Sequence, residues 1–241
     1  MICGALRATV CLPTYNEREN VERMVRTLHG LGVHVLVIDD SSPDGTGEIA
    51  DRLAAEHGFV DVLHRPRKEG LGPAYIAGFR RALADGADLV LEMDCDFSHR
   101  PEDARRLIDA AADADLVLGS RYVPGGSVGN WGLGRRVISR GGSLYAQLLL
   151  GVPVRDLTGG FKCYRRRVLE RIDLDAIDSR GYAFQIETTY RALRAGFQVV
   201  EVPIPFVDRQ VGGSKMSRSI VLEAIWKVPA LRLAALRGGL R

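Results

Sequence analysis

Asp94 and Asp96 stand one residue apart, directly after a short apolar run, where a small turn can bring both carboxylates toward one cation. Two like charges about 4 Å apart repel each other by roughly 4 kcal/mol at an effective dielectric constant near 20. A bound Mg²⁺ or Mn²⁺ would cancel that repulsion, and both ions favour oxygen ligands together with substrate phosphates. The alternative interpretation is an exposed acidic turn, in which Ser98 and Pro101 begin the next helix. The two aspartates alone leave both interpretations open.

Polar segments follow two earlier apolar runs in the same way. Residues 13–17 (PTYNE) follow the run Ala8–Leu12, and residues 39–46 (DDSSPDGT) follow the run Val33–Ile38. Ligands of open α/β sheets bind beyond the carboxyl ends of the strands, so we expect these segments and the aspartate pair at one edge of a sheet. A carboxylate there can accept hydrogen bonds from a ribose or a base edge. Asp, Ser, Pro and Gly are also ordinary turn residues, which makes segment 39–46 a weak signal by itself.

The first 120 residues alternate short apolar runs with helical patterns. Strands are predicted at Ala8–Leu12, Val33–Ile38, Val60–Leu63, Leu89–Met93 and Leu116–Leu118. Helices are predicted near Glu17–His29, Thr46–Glu56, Pro73–Ala84 and Pro101–Ala112. The apolar runs are rich in Val, Leu or Ile on both faces, as buried parallel strands are. The alternation predicts an α/β fold with a doubly wound, mostly parallel sheet.

The second half of the chain predicts mainly helices. These are expected at about Arg135–Leu150 and near Arg165–Arg171 and Phe184–Ala195, followed by a strand at Gln198–Ile204. From about Ile220 to Leu236 the chain is strongly apolar but contains scattered charges, and Pro229 is expected to break a continuous helix there. We therefore expect a main domain over residues 1–218 and an apolar and basic helical extension over residues 219–241.

Charge is unevenly distributed along the chain. Residues 1–119 carry 13 basic and 21 acidic side chains and residues 120–241 carry 20 and 9, so the balances are −8 and +11. The second half is therefore expected to meet an anionic group, such as a phosphate or an acidic membrane surface. Nucleic acid is not expected as a partner, because few aromatic residues accompany the basic ones.

Several classes of protein are disfavoured by the sequence. The four cysteines stand far apart without a CxxC pair, which argues against a zinc site or a disulfide scaffold and for a reducing cytoplasm. The first residues do not resemble a signal peptide, and no run of about 18 apolar residues predicts a membrane-spanning helix. Neither a P-loop nor a GxGxxG fingerprint occurs.

Taken together, the motifs resemble one known family. The ordered set PTYNE at 13–17, DDSSPDGT at 39–46, RKEGLG at 67–72 and DCDFSH at 94–99 is similar to the inverting family 2 glycosyltransferases of the GT-A fold. Later segments resemble the polyprenol-phosphate (dolichol-phosphate) mannose synthases. These are GSRYVPGG at 119–126, RRVISR at 135–140, DLTGGFKCYRR at 156–166, GYAFQIE at 181–187 and FVDRQVGGSKM at 206–216. The resemblance extends over about residues 8–218.

The resemblance implies a nucleotide-sugar pocket and a metal site. The pocket would contain Pro13, Tyr15, Glu17, Asp39, Asp40, Lys68, Gly70, Leu71, Asp94, Cys95, Asp96, Arg209 and Lys215, with Asp39 in a supporting position. Asp94 and Asp96 would hold Mg²⁺ or Mn²⁺. Ser98 stands where some relatives offer a third ligand, and its hydroxyl is expected to act directly or through water.

The resemblance also implies an acceptor site for a lipid phosphate. Arg121, Arg135 and Ser139 would receive the phosphate, as bare cations and a hydroxyl suited to an anion. Arg209 and Lys215, on either side of the glycine-containing segment 211–214, would close over the phosphates of both substrates. The implied donor is GDP-mannose and the implied acceptor is a polyprenyl phosphate. Because that acceptor is already ionised at neutral pH, no general base is expected and catalysis reduces to positioning and charge stabilisation.

Two questions remain open at this point. The chain could transfer glucose or another sugar from a UDP-sugar, or it could be a non-catalytic subunit that binds a nucleotide sugar. Residues 217–241 could lie on a membrane through apolar side chains such as Trp226, or they could pack on the core. The resemblance implies a peripheral position on the cytoplasmic face of a membrane. It also implies, as partners, a small membrane subunit or a downstream mannosyltransferase that uses the lipid-linked sugar.

Overall fold

The computed structural model describes residues 6–129, 131–207 and 218–240, with side chains from residue 223 onward in the last range. The strands are β1 Ala8–Thr14, β2 His34–Asp39, β3 Val60–His64, β4 Leu89–Glu92, β5 Leu116–Ser120, β6 Ser127–Val128, β7 Lys162–Arg165, β8 Val199–Pro203 and β9 Pro205–Phe206. The helices are α1 Val21–His29, α2 Thr46–Glu56, α3 Leu71–Ala84, α4 Asp103–Ala110, α5 Leu133–Leu150, α6 Arg166–Arg171, α7 Gly181–Arg194 and α8 Arg218–Leu236.

The main sheet has the strand order β3-β2-β1-β4-β7-β5-β8. Neighbouring strands pair in parallel except at β7, which runs antiparallel between β4 and β5. The predicted α/β fold with a mostly parallel sheet is therefore confirmed. A short parallel pair, β6 with β9, lies beside the main sheet.

Strand β7 is the member of the main sheet that the sequence does not predict. It is four residues long and begins with Lys162, which pairs in register with Glu92 of β4 in the fully buried interior. The Lys162 ammonium donates hydrogen bonds to the carbonyl of Gln185 at 2.8 Å and to the hydroxyl of Thr188 at 3.1 Å. Burial lowers the pKa of Lys162 to about 8, although the charge of Glu92 opposes that shift. A lysine in a central strand is thus tolerated because distant residues supply its partners.

Helices cover both faces of the sheet. On one face α1, α2 and α4 pack on a core that includes Leu12 and Leu91. On the other face α3, α5, α6, α7 and α8 pack on a core that includes Phe79 and Phe184. Burial on both faces explains why the strands are apolar throughout rather than alternating.

Helix α8 packs on α5 and α7, with Val228, Leu231 and Ala235 buried against the core. The expected break at Pro229 is wrong, because the helix continues through that residue. Of the two alternatives for this segment, packing on the core is present in the structure. Another side of α8 leaves Trp226 exposed. In the described ranges no helix combines the length and the apolar character needed to cross a bilayer.

Candidate active site

The carboxyl ends of β1, β2 and β4 open into a cavity of about 430 Å³, which we call the main cleft. Many of the residues that the sequence assigns to the nucleotide sugar line the main cleft. They are Pro13, Tyr15, Glu17, Asp40, Lys68, Gly70, Leu71, Asp94, Cys95 and Asp96. Ser98, Arg121 and Arg135 line it as well. Its volume is typical of small-molecule sites. Asp39 and Ser139 are outside the lining, and Arg209 and Lys215 fall outside the described residues.

The turn after β4 holds the two aspartates at the edge of the main cleft. One Asp96 carboxylate oxygen accepts a hydrogen bond from the Ser98 backbone N–H at 2.9 Å. The Asp94 backbone N–H donates to Nδ1 of His99 at 3.4 Å. Burial lowers the pKa of His99 to about 4, although Asp96 opposes that shift, so the ring is a neutral acceptor at pH 7. These two contacts help to fix the turn that carries Asp94 and Asp96.

The residues of this turn fit a divalent cation. Two carboxylates line the cleft, and the Ser98 hydroxyl is buried without a hydrogen-bond partner among the described residues. Among all residues that the structure describes, no cluster of three or more His, Cys, Asp or Glu side chains is suited to a metal. Mg²⁺ and Mn²⁺ sites commonly combine a few protein oxygen ligands with water and substrate phosphates, so two carboxylates and a hydroxyl can form the protein part of such a site.

Three residues at the edge of the main cleft have left-handed backbone conformations without being glycine. Asn16, Ser41 and Phe97 have φ values of 57°, 58° and 58°. Each follows one of the strands β1, β2 and β4 within a few residues, next to a cleft-lining side chain. Such conformations cost on the order of 1 kcal/mol or more and tend to persist at functional sites. The three turns therefore place Tyr15, Asp40 and Asp96 at some cost in local stability.

The end of the cleft at β1 and β2 combines an aromatic ring, a cation and a carboxylate. The Lys68 ammonium lies 3.9 Å from the centre of the Tyr15 ring. Asp40 is paired with Arg65, and both are largely buried. Burial raises the pKa of Asp40, although Arg65 opposes the shift. Stacking and hydrogen-bonding groups in this arrangement suit a nucleoside.

Asp39 supports this end of the cleft from behind. One of its carboxylate oxygens accepts hydrogen bonds from the hydroxyls of Thr14 at 3.1 Å and Ser42 at 2.6 Å. The other oxygen accepts from the Ser42 backbone N–H at 3.1 Å. Asp39 thus joins the ends of β1 and β2. A supporting role for Asp39 at a nucleotide pocket stays a prediction.

Arg121 is not the bare cation that the sequence suggests. Its guanidinium donates to both carboxylate oxygens of the fully buried Asp156, at 2.7 and 2.6 Å, and to the Thr158 hydroxyl at 2.9 Å. Burial by itself lowers the pKa of Arg121, but the charge and hydrogen bonds of Asp156 outweigh burial and raise it. The positive charge that Arg121 presents to the cleft is therefore largely balanced.

The segment after Arg121 is folded tightly onto it. A side chain added at Gly126 would place its Cβ 2.6 Å from the Ser120 carbonyl oxygen and 2.8 Å from the Arg121 carbonyl carbon. Only glycine allows this approach of two backbones. The glycine at position 126 of the GSRYVPGG motif therefore allows the chain to fold back onto Arg121, which lies between the cleft and Asp156.

Arg135 is the better-placed cation for a second anion. It comes from the first turn of α5, and its guanidinium carbon lies 4.1 Å from the centre of the Trp131 ring at the main cleft. Ser139 lies one turn further along α5 and accepts a hydrogen bond from the Tyr122 hydroxyl at 2.7 Å. Ser139 lines a smaller neighbouring cavity instead of the main cleft. The predicted acceptor residues are therefore brought close together but do not share one surface.

Several residues of the main cleft received no role from the sequence. They are His99, Trp131, Thr158, Arg180, Tyr182, Gln185 and Phe206. Most lie inside or next to the quoted motifs, but their type alone does not separate a cleft residue from a core residue. The position of Asp94 within DCDFSH could have drawn attention to His99, since a ring nitrogen can accept from a nearby backbone N–H.

An acidic turn that fits a cation, beside a nucleotide-sized cleft on a mostly parallel sheet, is the arrangement of a nucleotide-dependent transferase. The model of the family described as Glycosyl transferase family 2 matches residues 9–173. The chain is 54% identical over 226 residues to the polyprenol monophosphomannose synthase of Mycolicibacterium smegmatis, covering 92% of this chain and 85% of that protein. It is 51% identical over 238 residues to the undecaprenyl-phosphate mannosyltransferase of Micrococcus luteus, covering 98% of each. The chain belongs to glycosyltransferase family 2.

Solved structures show the same fold at lower sequence identity. A glucosyl-3-phosphoglycerate synthase from Mycobacterium tuberculosis, in complex with Mn²⁺, UDP-glucose and phosphoglyceric acid, superposes with a TM-score of 0.71 at 17% identity, covering 95% of this chain and 80% of that one. A mannosyltransferase from Pyrobaculum calidifontis, in complex with GDP-Man and Mn²⁺, gives a TM-score of 0.56 at 17% identity, covering 96% and 74%. At these identities the comparison supports the fold.

Replacing Asp156 with Asn should destabilise the protein by about 3 kcal/mol, because Arg121 would keep a buried charge without its counterion. The measurement is the free energy of unfolding in urea. Asp109→Asn is the matched control, since the Arg105–Asp109 pair is exposed and should contribute less than about 1 kcal/mol. A loss below 1 kcal/mol for Asp156→Asn would contradict the assigned pairing.

Proposed function

We propose that this chain transfers mannose from GDP-mannose to a polyprenyl phosphate, giving a polyprenyl-phosphate β-mannose and GDP. The observation that carries the proposal is a single cleft with an acidic turn at the end of β4 and the cation Arg135 on α5. Two relatives more than 50% identical are named for mannose transfer to polyprenyl phosphates. The charge pattern suits two phosphate-bearing substrates that meet between these groups.

The donor is proposed to occupy the end of the cleft formed by β1, β2 and the start of α3. Tyr15 and Lys68 offer a stacked ring and cation, and Asp40 offers a carboxylate for a ribose or base. Gly70 has a φ of 110°, which lets the chain turn beside the cleft where α3 begins. GDP as the nucleotide is part of the proposal, motivated by the GDP-Man complex of the Pyrobaculum calidifontis mannosyltransferase.

Asp94 and Asp96 are proposed to hold a divalent metal that would bind the donor diphosphate, and Ser98 would contribute its hydroxyl directly or through water. A bound Mg²⁺ or Mn²⁺ supplies positive charge that offsets the charge developing on the departing diphosphate. Asp94 and Asp96 would hold the cation; the Ser98 N–H orients the Asp96 carboxylate, and His99 fixes the backbone of Asp94. Mn²⁺ in solved structures of the same fold motivates a divalent cation here.

The acceptor phosphate is proposed to bind at Arg135 and to attack directly. One of its oxygens forms a bond to the anomeric carbon while the bond from that carbon to the diphosphate oxygen breaks, and the electron pair leaves with GDP. No proton needs to be removed, because the acceptor oxygen is already ionised. Arg135 orients the phosphate, while Arg121, balanced by Asp156, shapes the cleft wall next to it. Attack opposite to the leaving group inverts an α-linked donor to a β-linked product.

Replacing Asp96 with Asn should lower kcat for mannosyl transfer at least about a hundredfold, because one of two metal-binding charges is lost. Binding of Mn²⁺ in the presence of GDP, followed by electron paramagnetic resonance, should weaken in parallel. Asp113→Asn, an exposed aspartate away from the cleft, is the control and should behave as the unmodified chain. Near-normal turnover and Mn²⁺ binding by Asp96→Asn would rule out this metal assignment.

Replacing Arg135 with Ala should raise KM for farnesyl phosphate on the order of tenfold or more, as expected for a charged hydrogen-bond donor. The dissociation constant of GDP-mannose, measured by calorimetry, should stay unchanged. Arg105 is exposed on α4 and paired with Asp109, so Arg105→Ala serves as the control. Weakened donor binding by Arg135→Ala without a change in acceptor KM would contradict the assignment.

We also propose that the protein acts as a peripheral protein on the cytoplasmic face of a membrane. Helices α5 and α8 together expose Leu133, Val137, Ile138, Leu144, Leu148, Ile225, Trp226, Leu233 and Leu236. Arg136 and Arg140 on α5 and Arg237 after α8 are exposed beside these residues and suit anionic headgroups. A small membrane subunit or a downstream mannosyltransferase that uses the lipid-linked mannose would then meet the protein at this surface.

Trp226 and Leu148 are 77% and 72% exposed. Trp226→Glu or Leu148→Glu should each lower binding to vesicles that contain phosphatidylglycerol by a factor on the order of ten. Vesicle flotation measures the bound fraction. Leu6 is 50% exposed and lies on neither helix, so Leu6→Glu should bind as the unmodified chain does. Equal binding by all three variants would eliminate the membrane surface proposed for α5 and α8.

A further inference from the structure

A second, smaller cavity of about 70 Å³ lies beside the main cleft, between α5, α7 and α8. Its apolar lining comes from Ile138, Gly142 and Tyr145 of α5, Ile186 of α7, and Ala224 and Ile225 of α8. We call it the side cavity. A cavity of this size has room for about five water-sized groups, but an apolar lining gives water few hydrogen-bond partners. Its chemistry therefore suits a short hydrocarbon.

The side cavity adjoins the main cleft, and the two spaces share part of their wall. Trp131, Arg135, Thr158 and Tyr182 line both spaces. Trp131 is only 7% exposed, and its indole N–H lacks an acceptor among the described residues. The shared wall therefore contains a guanidinium and an indole N–H, which are donors suited to an anion, while the rest of the side-cavity lining is mainly hydrocarbon. A ligand that fits both parts carries a phosphate attached directly to an apolar chain.

The side cavity also opens toward the apolar surface of α5 and α8. Ile138 and Ile225 line it and are 55% and 45% exposed, so they belong both to the cavity and to the outside of the protein. The Tyr145 hydroxyl donates to the Ile225 carbonyl at 2.9 Å and joins the two helices at this opening. A chain longer than the cavity can leave between α5 and α8.

We propose that the side cavity binds the first isoprene unit of the acceptor, the one bonded to its phosphate. The inference rests on the proposed function and adds how the lipid is recognised. Five carbon atoms match the space, the phosphate lies at Arg135 and Trp131, and the remaining units leave toward the membrane. Recognition of the first unit separates a prenyl phosphate from soluble phosphate esters, which gain nothing from the apolar wall.

Gly142 provides the test, because it lines the side cavity and a Cβ placed on it meets no atom within 4 Å. Gly142→Leu should fill the space and lower kcat/KM for farnesyl phosphate at least about tenfold, since each buried methylene group contributes about fourfold in affinity. The inhibition constant of methyl phosphate, which has no prenyl chain, and the dissociation constant of GDP-mannose should stay unchanged. Gly141→Leu is the matched control, because Gly141 is exposed on the same helix and lies outside the cavity.

An unchanged kcat/KM for farnesyl phosphate in Gly142→Leu would overturn the inference and leave the proposed function intact. An equal loss for methyl phosphate would also overturn it, since the damage would then lie at the phosphate and not at the chain. If the unmodified protein failed to transfer mannose to farnesyl phosphate and to longer polyprenyl phosphates, the proposed function would fail together with the inference.

Discussion

The placement of two carboxylates, those of Asp94 and Asp96, at one edge of the main cleft is the constraint on which the rest of the site depends. The turn that holds them uses a backbone N–H for Asp96, a neutral ring nitrogen for the Asp94 backbone, and a left-handed residue at Phe97. Two carboxylates and a buried hydroxyl at one turn suit a divalent cation that also binds a diphosphate, which is the occupant proposed for this turn. The parallel sheet matters because it brings the ends of β1 and β2 to the same edge.

The two halves of the chain contribute opposite charges to one cleft. The acidic first half supplies the turn at Asp94 and the nucleoside end, and the basic second half supplies Arg121 and Arg135. The two arginines have different surroundings. The charge of Arg121 is balanced by Asp156, whereas Arg135 stacks on Trp131 beside an apolar cavity. A cation next to hydrocarbon is what a phosphate joined to a lipid requires.

Most of the fold follows from the sequence, because parallel strands buried on both faces leave strong apolar runs. The residues assigned to the donor came from the family resemblance, and their roles stay predictions. What could not be predicted depends on contacts between distant segments. β7 contains Lys162, whose partners come from β4 and α7. Arg121 appears as a bare cation until the turn 35 residues later places Asp156 against it. The continuity of α8 through Pro229 likewise depends on packing against α5 and α7.

The most direct test of the central claim follows radiolabelled mannose from GDP-mannose into lipid. The purified protein is incubated with a polyprenyl phosphate, with excess chelator or with Mg²⁺ or Mn²⁺, and the organic extract is counted. The account predicts a mannosylated lipid phosphate only when the divalent cation is present, and recovery when the ion is added back. Undiminished transfer in excess chelator, or consumption of GDP-mannose without a lipid product, would contradict it.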